Sequence, residues 1–278
     1  MLWRVRVKKK GYMRALLLAF LLPLLMDFAW GEEAEGGRVV VPILLYHRFG
    51  PVVADSMTVK TSVFASQLEY LRVRGYTVIP LRRLVSSLAG KAPPLPDRSV
   101  VITVDDGHES VFTDLYPLVR RYHIPVTLFI YPSAISNARY ALTWQQLQEM
   151  KGSGLVDIQS HTYWHPNFKK EKKRLTAQEY ENFVHRQLLR SREVLQEKLG
   201  GTVDMLAWPY GIYDDELIED ARRAGYVAGF SMVRHPVTRA DPMMALPRYL
   251  MIDPVQGVLF EKLLAESSRF REVRENRP

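Results

Sequence analysis

The sequence predicts an α/β protein in which β/α units surround one parallel sheet or barrel. Three observations carry this expectation. From Val39 onward, short apolar runs alternate with amphipathic helical patterns. Residues able to do chemistry recur just after the apolar runs, where the strands of a parallel sheet end. The chain is long enough, at 278 residues with 47% hydrophobic and 24% charged, to build one large domain with a real core.

The elements follow in order. VVVPILLYH (39–47) reads as the first strand, and SVFASQLEYLRVRG (62–75) as a helix with Phe64, Leu68 and Leu71 on one face and Gly75 closing it. YTVIP (76–80) is a short strand, KAPPLPDR (91–98) a proline-rich loop, and SVVITV (99–104) a strand followed by a helix around 112–122. PVTLFIYP (125–132) is the next strand. Thr143-Trp144-Gln145-Gln146 forms a capping box that opens a helix through Met150. LVDIQSH (155–161) is a strand. Thr176-Ala177-Gln178-Glu179 is a second capping box, whose helix runs to Leu199 before Gly200-Gly201. DMLAWPYG (204–211) is a strand entering a turn, and a helix then runs to Ala224, stopped by Gly225. YVAGF (226–230) and LPRYLMI (246–252) are the last strands. The final helix ends in a charged tail, 266–278, read as solvated.

The first residues stand apart. MLWRVRVKKKGYMR has six basic residues and no acidic ones, and Ala15–Met26 is an apolar run of twelve, too short to span a bilayer comfortably. Ala29-Trp30-Gly31 places small residues where a signal peptidase reads. Residues 1–31 are therefore expected to be a secretory signal peptide, with an uncleaved anchor as the alternative, and the protein is expected outside the cytoplasm: periplasmic, extracellular or at the envelope. The segment supplies +5 of the chain's formal +8, leaving about +3, so the basic balance gives no reason to expect a nucleic-acid partner. The chain has no cysteine, which excludes a thiol nucleophile and confines any metal to histidine and carboxylate ligands.

The chemistry concentrates at the strand ends. Asp105-Asp106-Gly107 directly follows a buried-looking strand, and two adjacent carboxylates there need a counter-charge. His161 and His165, at i and i+4 in SHTYWHPNF, could share one metal if the segment is helical or tightly turned. Alone that spacing is weak; with a strand-end carboxylate it makes a three-ligand site with open positions, which is the pattern of a catalytic metal. One aspartate would bind the ion, and the other would be free to act as a general base. Tyr46-His47 closes the first strand, and Trp208-Pro209-Tyr210-Gly211 closes a later one.

VDDG, the HTxxxH-type pair and WPYG, in this order and spacing, resemble the polysaccharide deacetylases of the NodB-homology class, carbohydrate esterase family 4. VPILLYHRF and LPRYLMI resemble the branch of secreted poly-β-1,6-N-acetylglucosamine deacetylases. The likeness covers roughly residues 40–252. It implies a distorted (β/α) barrel as a single domain over 39–265. It also implies a divalent-metal hydrolase that removes N-acetyl groups from an acetylated polysaccharide. Asp105 would be the base, Asp106, His161 and His165 the metal ligands, and His47 the acid. Trp208, Pro209 and Tyr210 would line the groove, the Tyr210 N–H helping to hold the oxyanion. Zinc is the first expectation for the metal; cobalt, nickel or manganese also suit two nitrogens and one oxygen.

The sequence departs from the family's pattern at one point. Many members carry an arginine just before the Pro-Tyr-Gly equivalent, where Ala207-Trp208 stand here, and Arg248 is expected to supply that charge. Trp144 is a candidate sugar platform or a core residue. KKEKKR (169–174) reads as a solvated loop, or as a surface for peripheral contact with an anionic membrane or envelope. Other substrates stay open: peptidoglycan, chitin oligomers and O-acetyl xylan. So do a glycan-binding protein without turnover and a glycoside hydrolase, although the last would leave the histidine pair unexplained.

Overall fold

The computed structural model describes residues 39–275, with side chains to 267. The expected signal peptide lies outside the described residues, as does the end of the charged tail. Strands β1 (Val40–Val41) and β2 (Ile43–Tyr46) are split by Pro42, which has no N–H for a ladder. Then come β3 (Arg48–Gly50) and β4 (Thr58–Lys60), which pair in parallel with each other, then α1 (Thr61–Val73), β5 (Thr77–Val78) and α2 (Leu81–Leu88). The strand β6 (Ser99–Asp106) is the longest. A π-turn (Val111–Leu115) leads into α3 (Tyr116–Tyr122), followed by β7 (Val126–Ile130), α4 (Trp144–Gly152) and β8 (Val156–Ser160). The rest comprises α5 (Phe168–Arg174), α6 (Ala177–Leu199), β9 (Met205–Ala207), a 3₁₀ turn (Pro209–Gly211), α7 (Asp215–Arg223), β10 (Ala228–Phe230), β11 (Val237–Thr238), β12 (Tyr249–Leu250) and α8 (Val258–Glu275).

The main sheet runs β10-β9-β8-β7-β6-β2-β12, and every pairing in it is parallel. β5 lies beside the start of β6, while β1 pairs antiparallel with β11 away from the sheet. The sheet curls until its edges meet. Leu246, just before β12, bridges Phe230 of β10, and the Leu246 N–H donates to the Gly229 carbonyl at 2.8 Å. The result is the distorted barrel that the sequence predicts.

Period-two alternation sorts the strand residues. Ile43, Val101, Phe129, Met205, Ala207, Ala228 and Phe230 gather in one buried cluster inside the curl. Leu44, Ile102, Val104, Leu128 and Ile130 face a second cluster under the helices. Each such side chain contributes about 1.5–3 kcal/mol by leaving water. Thr103 and Asp105 share the inner face with Val101, so the alternation that builds the core also carries one carboxylate into it.

Both capping boxes form, at Thr143/Gln146 and Thr176/Glu179. The expected loop at KKEKKR is instead α5: Asn167 caps it, and Phe168, fully buried, anchors a helix that carries charge on every other position. Trp144 packs, partly buried, against the helix-side core.

Candidate active site

The carboxyl ends of β2, β6, β8 and β9 converge on a cavity of about 350 Å³ whose lining includes His47, Asp105, Asp106, His161, His165 and Tyr210. Local backbone geometry sets each side chain. Strict alternation would send Asp106 to the helix face, but the chain leaves strand geometry there. Asp106 has φ 76° and Gly107 φ 82°, and a Cβ on Gly107 would lie 2.8 Å from Ile130 Cδ1. Thr162, His165 and Tyr210 also have positive φ, so four of the seven described non-glycine residues in that region belong to this site or adjoin it. The histidine pair is therefore presented by a tight turn and not by a helix.

Asp106, His161 and His165 each offer one ligand atom, all within 4.8 Å of one another. His161 Nε2 is 3.6 Å and His165 Nε2 3.7 Å from Asp106 Oδ1. Donors on one tetrahedral ion with bonds of about 2.0–2.2 Å lie roughly 3.4 Å apart, so the three atoms fit one ion with little movement. The donor chemistry agrees. His161 Nδ1 donates to the Ala207 carbonyl at 2.8 Å, which leaves the Nε2 lone pair facing Asp106. Burial lowers the His161 pKa to about 3 and that of His165 below its usual range, so both rings are neutral and able to serve as ligands. Burial also raises Asp106, whose carboxylate lacks a full counter-charge. Three ligand atoms converge without a cation among the described residues at the same point, and a divalent ion would satisfy them.

Asp105 is held differently. It is 2% exposed, and Arg248, 0% exposed, donates from Nη1 to Oδ1 and from Nη2 to Oδ2, both at 2.8 Å. Arg248 Nε donates to the Ser231 carbonyl at 3.0 Å, and the guanidinium lies over the Phe129 ring. Burial alone would raise the Asp105 pKa; Arg248, His161 and His47 together carry it below the usual carboxylate range. Two adjacent aspartates are thus pushed in opposite directions.

His47 is nearly buried, and its Nδ1 has no partner within the protein. Burial lowers its pKa, against the pull of Asp105 and Asp106. Tyr210 is 58% exposed, with its ring centroid 4.6 Å from that of His165. Pro209 is buried in the same turn. Trp208 is fully buried and donates from Nε1 to the Met244 carbonyl at 2.7 Å. Arg248 stands behind Asp105 and is absent from the cavity lining, so its charge reaches the cavity through that carboxylate. Trp208 reaches the lining as a buried wall and not as an exposed platform. Arg48, Met57, Tyr131 and Met232 also line the cavity and escaped the sequence reading. Tyr131 alone carried a signal, as the residue that closes the apolar run of β7.

Residues 92–229 match the family model described as Polysaccharide deacetylase. A poly-beta-1,6-N-acetyl-D-glucosamine N-deacetylase of Staphylococcus epidermidis is 28% identical over 214 residues, 75% of this chain and 72% of that protein. The solved structure of IcaB from Ammonifex degensii, 26% identical, aligns with a TM-score of 0.71 over 82% of this chain and 97% of that one. The Streptococcus pyogenes deacetylase PplD, solved with acetate, shares the fold at 22% identity, with a TM-score of 0.73 over 82% and 99% of the two chains.

Proposed function

Because the chain belongs to the polysaccharide deacetylase family, we propose that it hydrolyses N-acetyl groups on a poly-β-1,6-N-acetylglucosamine-like polymer, using a divalent metal held by Asp106, His161 and His165. The observation that carries this reading is the pairing at one cavity of a convergent Asp-His-His trio with a second aspartate locked by a buried arginine. The choice of substrate is supported by the activity printed for the Staphylococcus epidermidis relative.

When bound, the ion would supply Lewis acidity, polarising the acetyl carbonyl and lowering the pKa of water at the site. The protein groups do the rest. Asp105 accepts the proton of the attacking water. Each of its oxygens keeps a lone pair beyond the one Arg248 occupies, and the fork fixes the plane of the carboxylate. The Tyr210 N–H, in the turn at the cavity's edge, helps to stabilise the oxyanion. His47 gives a proton to the departing amine; burial makes the imidazolium a ready donor, and the two carboxylates offset part of the cost of charging it. Arg248 is a positioning residue that acts through Asp105.

We also read residues 1–31 as an export signal. Among the described residues no helix is long and apolar enough to cross a membrane. Peripheral envelope contact through α5 is a weaker part of the proposal, since Lys172 already pairs with Asp214 and Glu216.

The test is acetate release from poly-β-1,6-N-acetylglucosamine beside chitin oligomers, peptidoglycan and acetylated xylan, with metal content measured on the same samples. Asp105→Asn is expected to keep the metal while turnover falls on the order of 10²–10⁴-fold, and Asp106→Asn to lose metal and activity together. Normal turnover by Asp105→Asn, or acetate release only from xylan esters, would overturn the reading.

A further inference from the structure

One aromatic surface beside the cavity has no part in the chemistry above. Tyr131, just after β7, lines the cavity with its ring centroid 5.5 Å from that of His165. Its hydroxyl is 2.8 Å from the hydroxyl of Tyr140. The Tyr140 ring stacks on His108, with centroids 6.2 Å apart and planes at 15°. His108 is held in turn, its Nδ1 being 2.9 Å from Ser110 Oγ, which accepts from the Phe49 N–H.

The backbone under Tyr140 is equally constrained. The Tyr140 carbonyl accepts from the Glu109 N–H at 2.7 Å, Ala141 bridges His108, and the Leu142 N–H donates to the Gly107 carbonyl at 2.9 Å. Ala141 and Leu142 are buried, yet Tyr140 is 43% exposed. A side chain with two flexible torsions is thus fixed at ring, hydroxyl and backbone while one apolar face stays in water. The folded protein gains nothing from that exposure. Rigid aromatic area lost from water at little entropic cost is what a binding surface needs. Arg48 lines the same cavity and pairs with Asp55, which adds hydrogen-bonding groups suited to hydroxyls.

Resting on the reading of the cavity as a glycan deacetylase site, we propose that Tyr140, backed by His108 and tethered through Tyr131, is the stacking platform for a sugar residue next to the one that is deacetylated. The cavity of about 350 Å³ has room for the reacting sugar. Tyr140 is not in that lining but bonds to Tyr131, which is, so its ring stands beside the cavity where a neighbouring sugar could reach it. The enzyme therefore reads at least two consecutive hexosamine residues, and chain length is part of its specificity.

The test measures kcat/KM for acetate release from β-1,6-linked N-acetylglucosamine tetrasaccharide and from the monosaccharide. For Tyr140→Ala the tetrasaccharide-to-monosaccharide ratio is expected to fall about tenfold, mainly through KM. For Tyr140→Phe, which keeps the ring and loses the hydroxyl, it should stay within about twofold. Thermal melts of both variants show whether the loop is intact, and His108→Ala, which removes the backing ring, should lower the ratio in the same direction. Calorimetric binding of the tetrasaccharide separates this proposal from the one it rests on. If the wild type binds it and releases no acetate, and Tyr140→Ala loses affinity, the platform stands and the deacetylase reading falls. If the wild type releases acetate and folded Tyr140→Ala keeps the wild-type ratio, the platform is overturned and the deacetylase reading stands.

Discussion

Replacing Arg248 with methionine tests the countercharge of Asp105. The substitution keeps roughly the length and removes the charge and the fork. Asp105, 2% exposed, would be left as a buried carboxylate without its two bonds at 2.8 Å, and the Ser231 carbonyl would lose its donor. Breaking a buried ion pair on one side costs about 3–5 kcal/mol. With a urea slope of roughly 2–3 kcal/mol/M for a chain of this size, the unfolding midpoint should fall by about 1–2.5 M at pH 7. The pH dependence sharpens the test. In the wild type the Asp105 pKa is depressed, so its stabilising contribution is full above the unfolded value near 3.9 and is lost as pH falls through the folded value. In Arg248→Met burial dominates and the pKa rises above the usual range, so Asp105 protonates well before pH 4. The stability gap between the two proteins should then narrow as the pH drops, and the acid limb of kcat/KM should move to higher pH. Arg248→Lys, a point charge that cannot fork, should lie between. The measurements are urea titrations of the metal-free proteins from pH 4 to 8 and a pH–rate profile of the metal-loaded ones. A midpoint within about 0.3 M of wild type and an unmoved acid limb would show that Arg248 does not sustain the charge on Asp105.

Exhaustive chelation should abolish acetate release, with recovery on adding zinc or cobalt, and His161→Ala and His165→Ala should each lose stoichiometric metal; full activity after demetallation refutes the ligand assignment. The metal-free protein should lose stability as pH falls from about 6.5 toward 4. There the unfolded chain protonates its histidines while His161 stays neutral down to about 3, and His47 and His165 are also lowered by burial. The unfolded state then binds more protons, at up to about 1.4 kcal/mol per pH unit for each histidine, partly offset by Asp106, which takes a proton early in the folded state. A flat urea midpoint over that range would contradict this. Gly107→Ala should cost about 1–3 kcal/mol and lower metal occupancy, because the added Cβ meets Ile130 at a φ of 82°; melting and metal analysis report both.

The parts legible in the sequence were those written in local chemistry. The boxes at Thr143 and Thr176 announce their helices because the capping hydroxyl and the N3 side chain lie three residues apart. The strand ends announce the site because parallel strands bring distant carboxyl termini to one face. The different jobs of Asp105 and Asp106 came from the family resemblance, not from any pattern in β6. Other elements had no such mark. α2 (LRRLVSSL) is two turns long and starts after Pro80, and its buried Leu81, Leu84 and Val85 look like a helix only once a sheet lies beneath them. α5 shows no amphipathic period, since one buried residue, Phe168, anchors it. The Tyr131–Tyr140 contact depends on how a loop folds back on 107–109, which no pattern in either segment records. Arg248 was reachable only through the family resemblance: the arginine many members carry before Pro-Tyr-Gly is missing at Ala207-Trp208, and LPRY offered a replacement.

The pairing of Asp105 with Arg248 also has a chronology. The two residues are 143 positions apart, and Arg248 sits on the segment that joins the first strands of the sheet to the last. Residues 39–245 contain Asp106, His161 and His165 but neither the Leu246 bridge that closes the sheet nor the countercharge of Asp105. Competence and completion arrive together: the same few residues that shut the sheet also finish the site. Until those residues are in place, Asp105 has no buried cation to hold its charge.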